Sequence, residues 1–187
     1  MASLKSFIPT LANPLGMTPA ALYERQRALV RAGLLEAKPG RGRGSGVSVT
    51  PQSVAMMLIA ILATDSLSET EAQTKIVATL KNTKGRCSLT GKKTLAAALT
   101  AILASEDTIK RAKWIYVHRG PKPRAGIAYS PRGIERVVSV AVEVLSEGRT
   151  DWPVESEFGF VRRQSAFNVR AGLGLVPLHT ILKEINK

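Results

Sequence analysis

The 187-residue chain carries 27 lysines and arginines against 14 acids, a formal charge of +13, and a sequence pI near 10.4; this is the charge footprint of a nucleic-acid binder, and it supports polyanion binding without choosing DNA over RNA. With 44% hydrophobic residues and a mean hydropathy of +0.03, it is not a disordered basic tail. The longest apolar run, Val54 to Ala63, is about half the roughly twenty residues a membrane span needs, and reads as a buried helix.

In chain order, the first element is a short helix ending in Leu11-Ala12-Asn13-Pro14-Leu15-Gly16. The glycine there can take positive φ and turn the chain sharply. Thr18 and Pro19 restart a helix as N-cap and first helical residue, and Ala32-Gly33 closes it. Leu34 to Ala37 reads as a strand, Lys38 to Gly46 as a glycine-rich basic loop, and Val47 to Thr50 as the return strand.

Helix, turn, helix and basic hairpin together resemble the winged helix-turn-helix regulators of bacteria and phage, over residues about 8–64. Such folds carry a full helix before the Leu-Ala helix. Here about eight residues precede it, so either the start is shorter than in the family or a later helix takes that place. The resemblance implies that the 18–32 helix enters a major groove while the 35–49 wing lies on the backbone or minor groove.

At about 100° per residue, Leu22, Leu29 and Gly33 fall in one inward sector, flanked by Ala21, Ala28 and Ala32, with Gln26 near it. Ala20, Tyr23, Glu24, Arg27 and Arg31 fall opposite. Arg27 suits guanine acceptors, Glu24 a cytosine amine and Ala20 a thymine methyl. With Thr18, and with Lys38, Arg41, Arg43 and Ser45 of the wing, these are the expected DNA contacts. The competing reading is the solvated charged face of an ordinary helix.

The whole chain reads as α+β, mostly α: an N-terminal winged helix-turn-helix followed by a helical region with a β-hairpin. Helices are predicted from Pro51 to about Thr64, from Ser66 to Leu80 with a Ser68–Glu71 capping box, and over Gly91–Ser105. A short one follows at Glu106–Lys113. Trp114–His118 and Gly126–Tyr129 form a hairpin with a basic tip, whose Arg119, Lys122 and Arg124 make a second candidate contact set. Ser130 to Glu147 has helical spacing, although its valines would also suit a strand. Phe158–Val161 reads as strand or loop, and Pro177–Asn186 as a closing helix. The division is residues 1–64, for DNA binding, and 65–187, for dimerisation or a second nucleic-acid contact.

Gly46–Val54 and Gly126–Ile134 match in residue type 80 positions apart. Two readings account for this: a second, diverged winged helix, as in plasmid replication initiators, or the shared local chemistry of hairpin-to-helix junctions. The absence of a Leu-Ala-x-x-Leu-Gly turn before Trp114 favours the junction.

Enzyme readings are weak. Gly85 to Thr94 has five residues between its glycines where a phosphate-binding loop has four, and no strand precedes it. His118 and His179 lack partners at metal spacing, and Glu155 and Glu157 fit a solvated face. Cys87, flanked by basic residues, could serve as a redox thiol, although a lone cysteine in such a loop is usually incidental. No catalytic residue, metal or cofactor is expected. With one cysteine and an N-terminus interrupted by Lys5, Pro9 and Pro14, the expected location is the cytoplasm.

The sequence thus points to a sequence-specific double-stranded-DNA-binding transcriptional regulator, a homodimer without membrane contact and with no effector identified. The alternatives are a replication-initiation or DNA-packaging protein with tandem winged helices, and a basic interaction module that inhibits a nucleic-acid enzyme.

Overall fold

Helix α1, Leu4–Ala12, starts where the Ser3 hydroxyl accepts the Ser6 amide, and it buries Leu4, Phe7, Ile8, Leu11 and Ala12 along one stripe. The computed structural model describes residues 3–40, 46–82, 85–120, 123–130, 139–140, 160–165 and 168–174. After α1 a single 3₁₀ turn, Asn13–Leu15, ends at Gly16 with φ 61°. The Gly16 and Met17 amides return to the Asn13 and Ala12 carbonyls at 3.2 and 3.1 Å. Thr18 Oγ1 then accepts the Ala21 amide, Pro19 takes the first helical position, and α2 runs Pro19–Arg31.

The stop of α2 corrects the expected strand at 34–37. Gly33, at φ 68°, donates to the Val30 carbonyl, and the Leu34 and Leu35 amides both donate to Leu29, at 2.9 and 3.3 Å. This is a Schellman closure. It uses the two leucines to end the helix and buries Leu35, so strand β1 is only Ala37–Lys38. Its partner β2 is Gly46–Val47, with Ala37 opposite Val47 and Lys38 opposite Gly46. Ser48 extends the return by bridging antiparallel to Ser3.

Helix α3, Pro51–Ala63, opens with a true capping box: Thr50 Oγ1 accepts the Ser53 amide and Ser53 Oγ accepts the Thr50 amide. Every residue from Ser53 to Ala63 is buried, as befits a helix apolar on all sides. It packs on α2, on α4 (Thr70–Ala78), on α5 (Leu95–Leu103) and on strand β3, Ala112–Arg119. A short α6, Glu106–Arg111, precedes that strand.

Helix α4 starts four residues later than predicted, and the Ser68–Glu71 capping box is absent. Its N-cap is Glu69, without a side-chain cap. The hydroxyls instead build a turn. Thr64 Oγ1 donates to Glu69 Oε2 and accepts the Ser66 amide, and the Ser66 and Ser68 hydroxyls bond each other at 2.8 Å. Such local bonding competes with helix formation.

The predicted hairpin is present as β3 and β4 (Arg124–Tyr129), at the centre of a larger antiparallel sheet. With β5 (Ser139–Val140), β6 (Phe160–Ser165) and β7 (Asn168–Gly174), the strand order is β5-β4-β3-β7-β6. β3 is therefore hydrogen-bonded on both edges, unlike a free wing. β5 also corrects the helix expected from Ser130 to Glu147: residues 139–140 are extended and pair with Tyr129 and Ala128, where β-branched valine suits a strand. The rest of that segment and the closing helix at Pro177–Asn186 lie outside the described residues. Ile115, Val117, Ala125, Ile127 and Tyr129 join one cluster of buried side chains that begins at Leu4. Among the described residues no helix is long and apolar enough to cross a membrane.

Candidate nucleic-acid interface

α2 presents two unlike faces. Leu22, Arg25, Gln26, Ala28 and Leu29 are buried, while Thr18, Ala20, Arg27 and Arg31 are exposed and Tyr23 and Glu24 lie between. Ala20, Glu24, Arg27 and Arg31 recur at i, i+4, i+7 and i+11, a stripe about 16 Å long at 1.5 Å per residue. That is enough to lie across a major groove about 12 Å wide.

Within the stripe, Arg27 Nη1 lies 3.1 and 3.4 Å from the two Glu24 carboxylate oxygens. Both side chains stay about half exposed, 57% and 45%. An exposed pair of this kind is worth at most about 1 kcal/mol, whereas a bidentate base contact is worth about 1–3 kcal/mol. The pair holds the Arg27 guanidinium over the stripe at little cost to either side chain's exposure.

One further residue belongs to this surface, and another anchors the helix from behind. Lys5, exposed on α1, sets its ammonium 5.3 Å from the centroid of the Tyr23 ring. This cation–π contact places a positive charge beside the stripe. No local signal reveals it, because it depends on how α1 packs on α2. Arg25 was missed in the sequence, although its angle would have found it: it falls about 60° from Leu22 at 100° per residue, inside the inward sector. Its guanidinium, only 4% exposed, donates to the Ala60 and Asp65 carbonyls and to Thr70 Oγ1 at 3.4, 2.9 and 3.2 Å. It thereby fastens the back of α2 to α3 and to the start of α4. Gln26 is buried as its angle suggested, and its Oε1 has no partner among the described residues.

Lys38 lies at the base of the hairpin, exposed. Arg41, Arg43 and Ser45 lie outside the described residues, as does Lys122 of the second candidate set. Arg124 is half-buried. Arg119 is committed inward: Nε and Nη2 donate to the Leu62 and Ile61 carbonyls at 2.7 and 2.8 Å, and Nη1 meets Asp65 Oδ2 at 2.7 Å. Burial holds its guanidinium below the ordinary arginine range. With its donors engaged and its side chain 11% exposed, Arg119 is a structural tie between sheet and helix, which corrects its place in the second contact set.

The thiol reading also changes. Cys87 is 1% exposed and part of the core, so an oxidant in solution cannot reach it. In the same loop the Cys87 amide bonds the Lys92 carbonyl and the Gly91 amide the Cys87 carbonyl, both at 2.7 Å. Those two amides are engaged within the loop and do not point at a phosphate.

Compared with protein-family models, the chain matches none. No curated protein and no solved structure matches it either.

Proposed function

We propose that this chain is a double-stranded-DNA-binding regulator that reads sequence with the exposed stripe of α2 and steadies itself on the backbone with the 38–46 hairpin. The observation that carries this reading is the exposed Ala20–Glu24–Arg27–Arg31 stripe, set on a helix whose opposite side is anchored by Leu22, Leu29 and the buried Arg25. A rigidly backed helix with a mixed-charge outer face suits base-edge recognition. The surroundings agree with a winged helix-turn-helix. α1 and α2 meet across a glycine turn, a two-stranded hairpin follows, Ser3 bridges the return strand, and α3 packs behind α2.

The N-terminal 64 residues hold seven bases and two acids, so electrostatic attraction brings DNA to this end while the stripe supplies specificity. A homodimer would recognise two half-sites about one helical turn apart. Selection of bound duplexes from a random library tests the reading. The expected result is one enriched motif whose information is lost at a defined base pair in the Arg27→Ala protein. Enrichment of no motif contradicts sequence-specific readout.

A further inference from the structure

The loop from Lys81 to Thr94 holds positive charge that the α2 surface does not use. From Ala72 to Ser105 the chain contains no aspartate or glutamate, yet it carries Lys75, Lys81, Lys84, Arg86, Lys92 and Lys93. Lys81, Arg86, Lys92 and Lys93 are exposed. None of these four forms an ion pair among the described residues. The next helix shows the contrast: in α6, Lys110 and Arg111 each meet an acid one turn away, Glu106 at 2.6 Å and Asp107 at 3.8 Å.

Backbone bonds gather the four bases and hold them. Lys81 bridges antiparallel to Thr94, the Asn82 amide donates to the Lys93 carbonyl at 3.0 Å, and the Cys87 amide donates to that of Lys92 at 2.7 Å. Lys81 and Arg86, next in sequence to those two donors, therefore stand beside Lys93 and Lys92. Cys87 and Leu89, 1% and 7% exposed, pin the loop to the core. Folding does not account for the charge. Unpaired like charges held together repel, and Lys92 and Lys93 immediately precede Thr94, the N-cap of α5, where the positive end of the helix dipole disfavours cations.

We infer that the 81–93 loop grips the phosphate backbone of duplex DNA without reading sequence, as a contact independent of the α2 stripe. Lysine and arginine, with the exposed Ser88 hydroxyl, are side chains that take phosphate oxygens. The loop's composition selects among polyanions. It contains no aromatic residue, so it offers no platform on which the bases of a single strand could stack. Its one large apolar side chain, Leu89, is buried, which leaves no apolar anchor of the kind that carries a protein interface. The Cys87 and Gly91 amides are engaged within the loop, so the grip comes from side chains.

The test uses the full chain, a short random-sequence duplex and fluorescence anisotropy across a salt series. In Arg86→Gln/Lys92→Gln/Lys93→Gln, affinity is expected to fall and the log–log salt slope to drop by about 2.7, or about 0.9 per lost phosphate contact. Lys75→Gln/Lys110→Gln/Lys113→Gln removes the same charge outside the loop and is expected to keep the parent slope. An unchanged slope in the loop variant, or an equal drop in both variants, overturns the inference. Loss of polyglutamate binding with an unchanged DNA slope overturns it in favour of an acidic protein partner. Arg27→Ala/Arg31→Ala, measured in parallel on a selected site, reports on α2, so the two surfaces can fail separately. Should the loop variant not fold, lysine acetylation of the unaltered chain decides: duplex DNA should protect Lys92 and Lys93, and equal modification with and without DNA overturns the inference.

Discussion

Arg25 and Arg119 close the same helix end. Arg25 Nη1 donates to the Ala60 carbonyl, and Arg119 Nη2 and Nε donate to those of Ile61 and Leu62. The last four carbonyls of a helix have no partner within it, and three of those four in α3 are met by these two guanidiniums. Cations there also suit the negative end of the helix dipole. Asp65 completes the knot, its carbonyl accepting from Arg25 at 2.9 Å and its carboxylate pairing with Arg119 at 2.7 Å. The helix proposed to read DNA and the central strand of the sheet are thus fastened to one turn of chain.

Arg25→Ala should therefore lower stability by about 3 kcal/mol, because it strands buried acceptors and empties a packed site. Urea denaturation measures this. Arg25→Lys should recover less than half of the loss, since an ammonium cannot reproduce a planar fork serving three acceptors. A loss below about 1 kcal/mol for the alanine variant would mean that Arg25 is not an anchor.

Two glycines should fail for different reasons. At Gly16, φ is 61° and a Cβ would meet nothing within 4 Å, so Gly16→Ala costs only the left-handed backbone penalty, about 1–2 kcal/mol, and Gly16→Asn costs less. At Gly126 the Tyr116 ring occupies the Cβ position, so Gly126→Ala must displace the ring. Thermal melts should rank Gly126→Ala below Gly16→Ala, with Gly16→Asn nearest the parent.

Local chemistry made much of the fold legible. The Thr18-Pro19 start, the Gly16 turn, the apolar α3 and the 114–129 hairpin follow from capping, positive φ and periodicity. What failed depended on partners distant in sequence. Valines over 137–142 fit a helix by spacing, yet at 139–140 the edge of β4 supplies a pairing that spacing cannot reveal. Ser68 looked like a cap because neighbouring hydroxyls able to satisfy one another are invisible in a linear pattern. In the candidate site the exposed stripe was legible from helix angle alone. Lys5 was not, because α1 brings it to Tyr23 only through packing, and Arg119 was misassigned because its charge alone does not show that it points inward.

Replacing Arg41 and Arg43 with alanine should leave the melting temperature nearly unchanged, since loop charges contribute little to folding. Affinity for every DNA sequence should fall, with the salt slope reduced by about 0.9 per lost contact. Unchanged affinity at near-physiological salt would remove the hairpin from the DNA contact.

The central claim is that α2 reads bases, and Arg27→Ala tests it most directly when affinity is measured on a selected site and on the same site mismatched at one base pair. The exposed pair with Glu24 adds little to folding, so the melting temperature should hold. Discrimination between the two duplexes should shrink by about 1–3 kcal/mol, roughly 5- to 160-fold in relative affinity. Equal loss on both duplexes, or no loss on either, would contradict base reading by this helix.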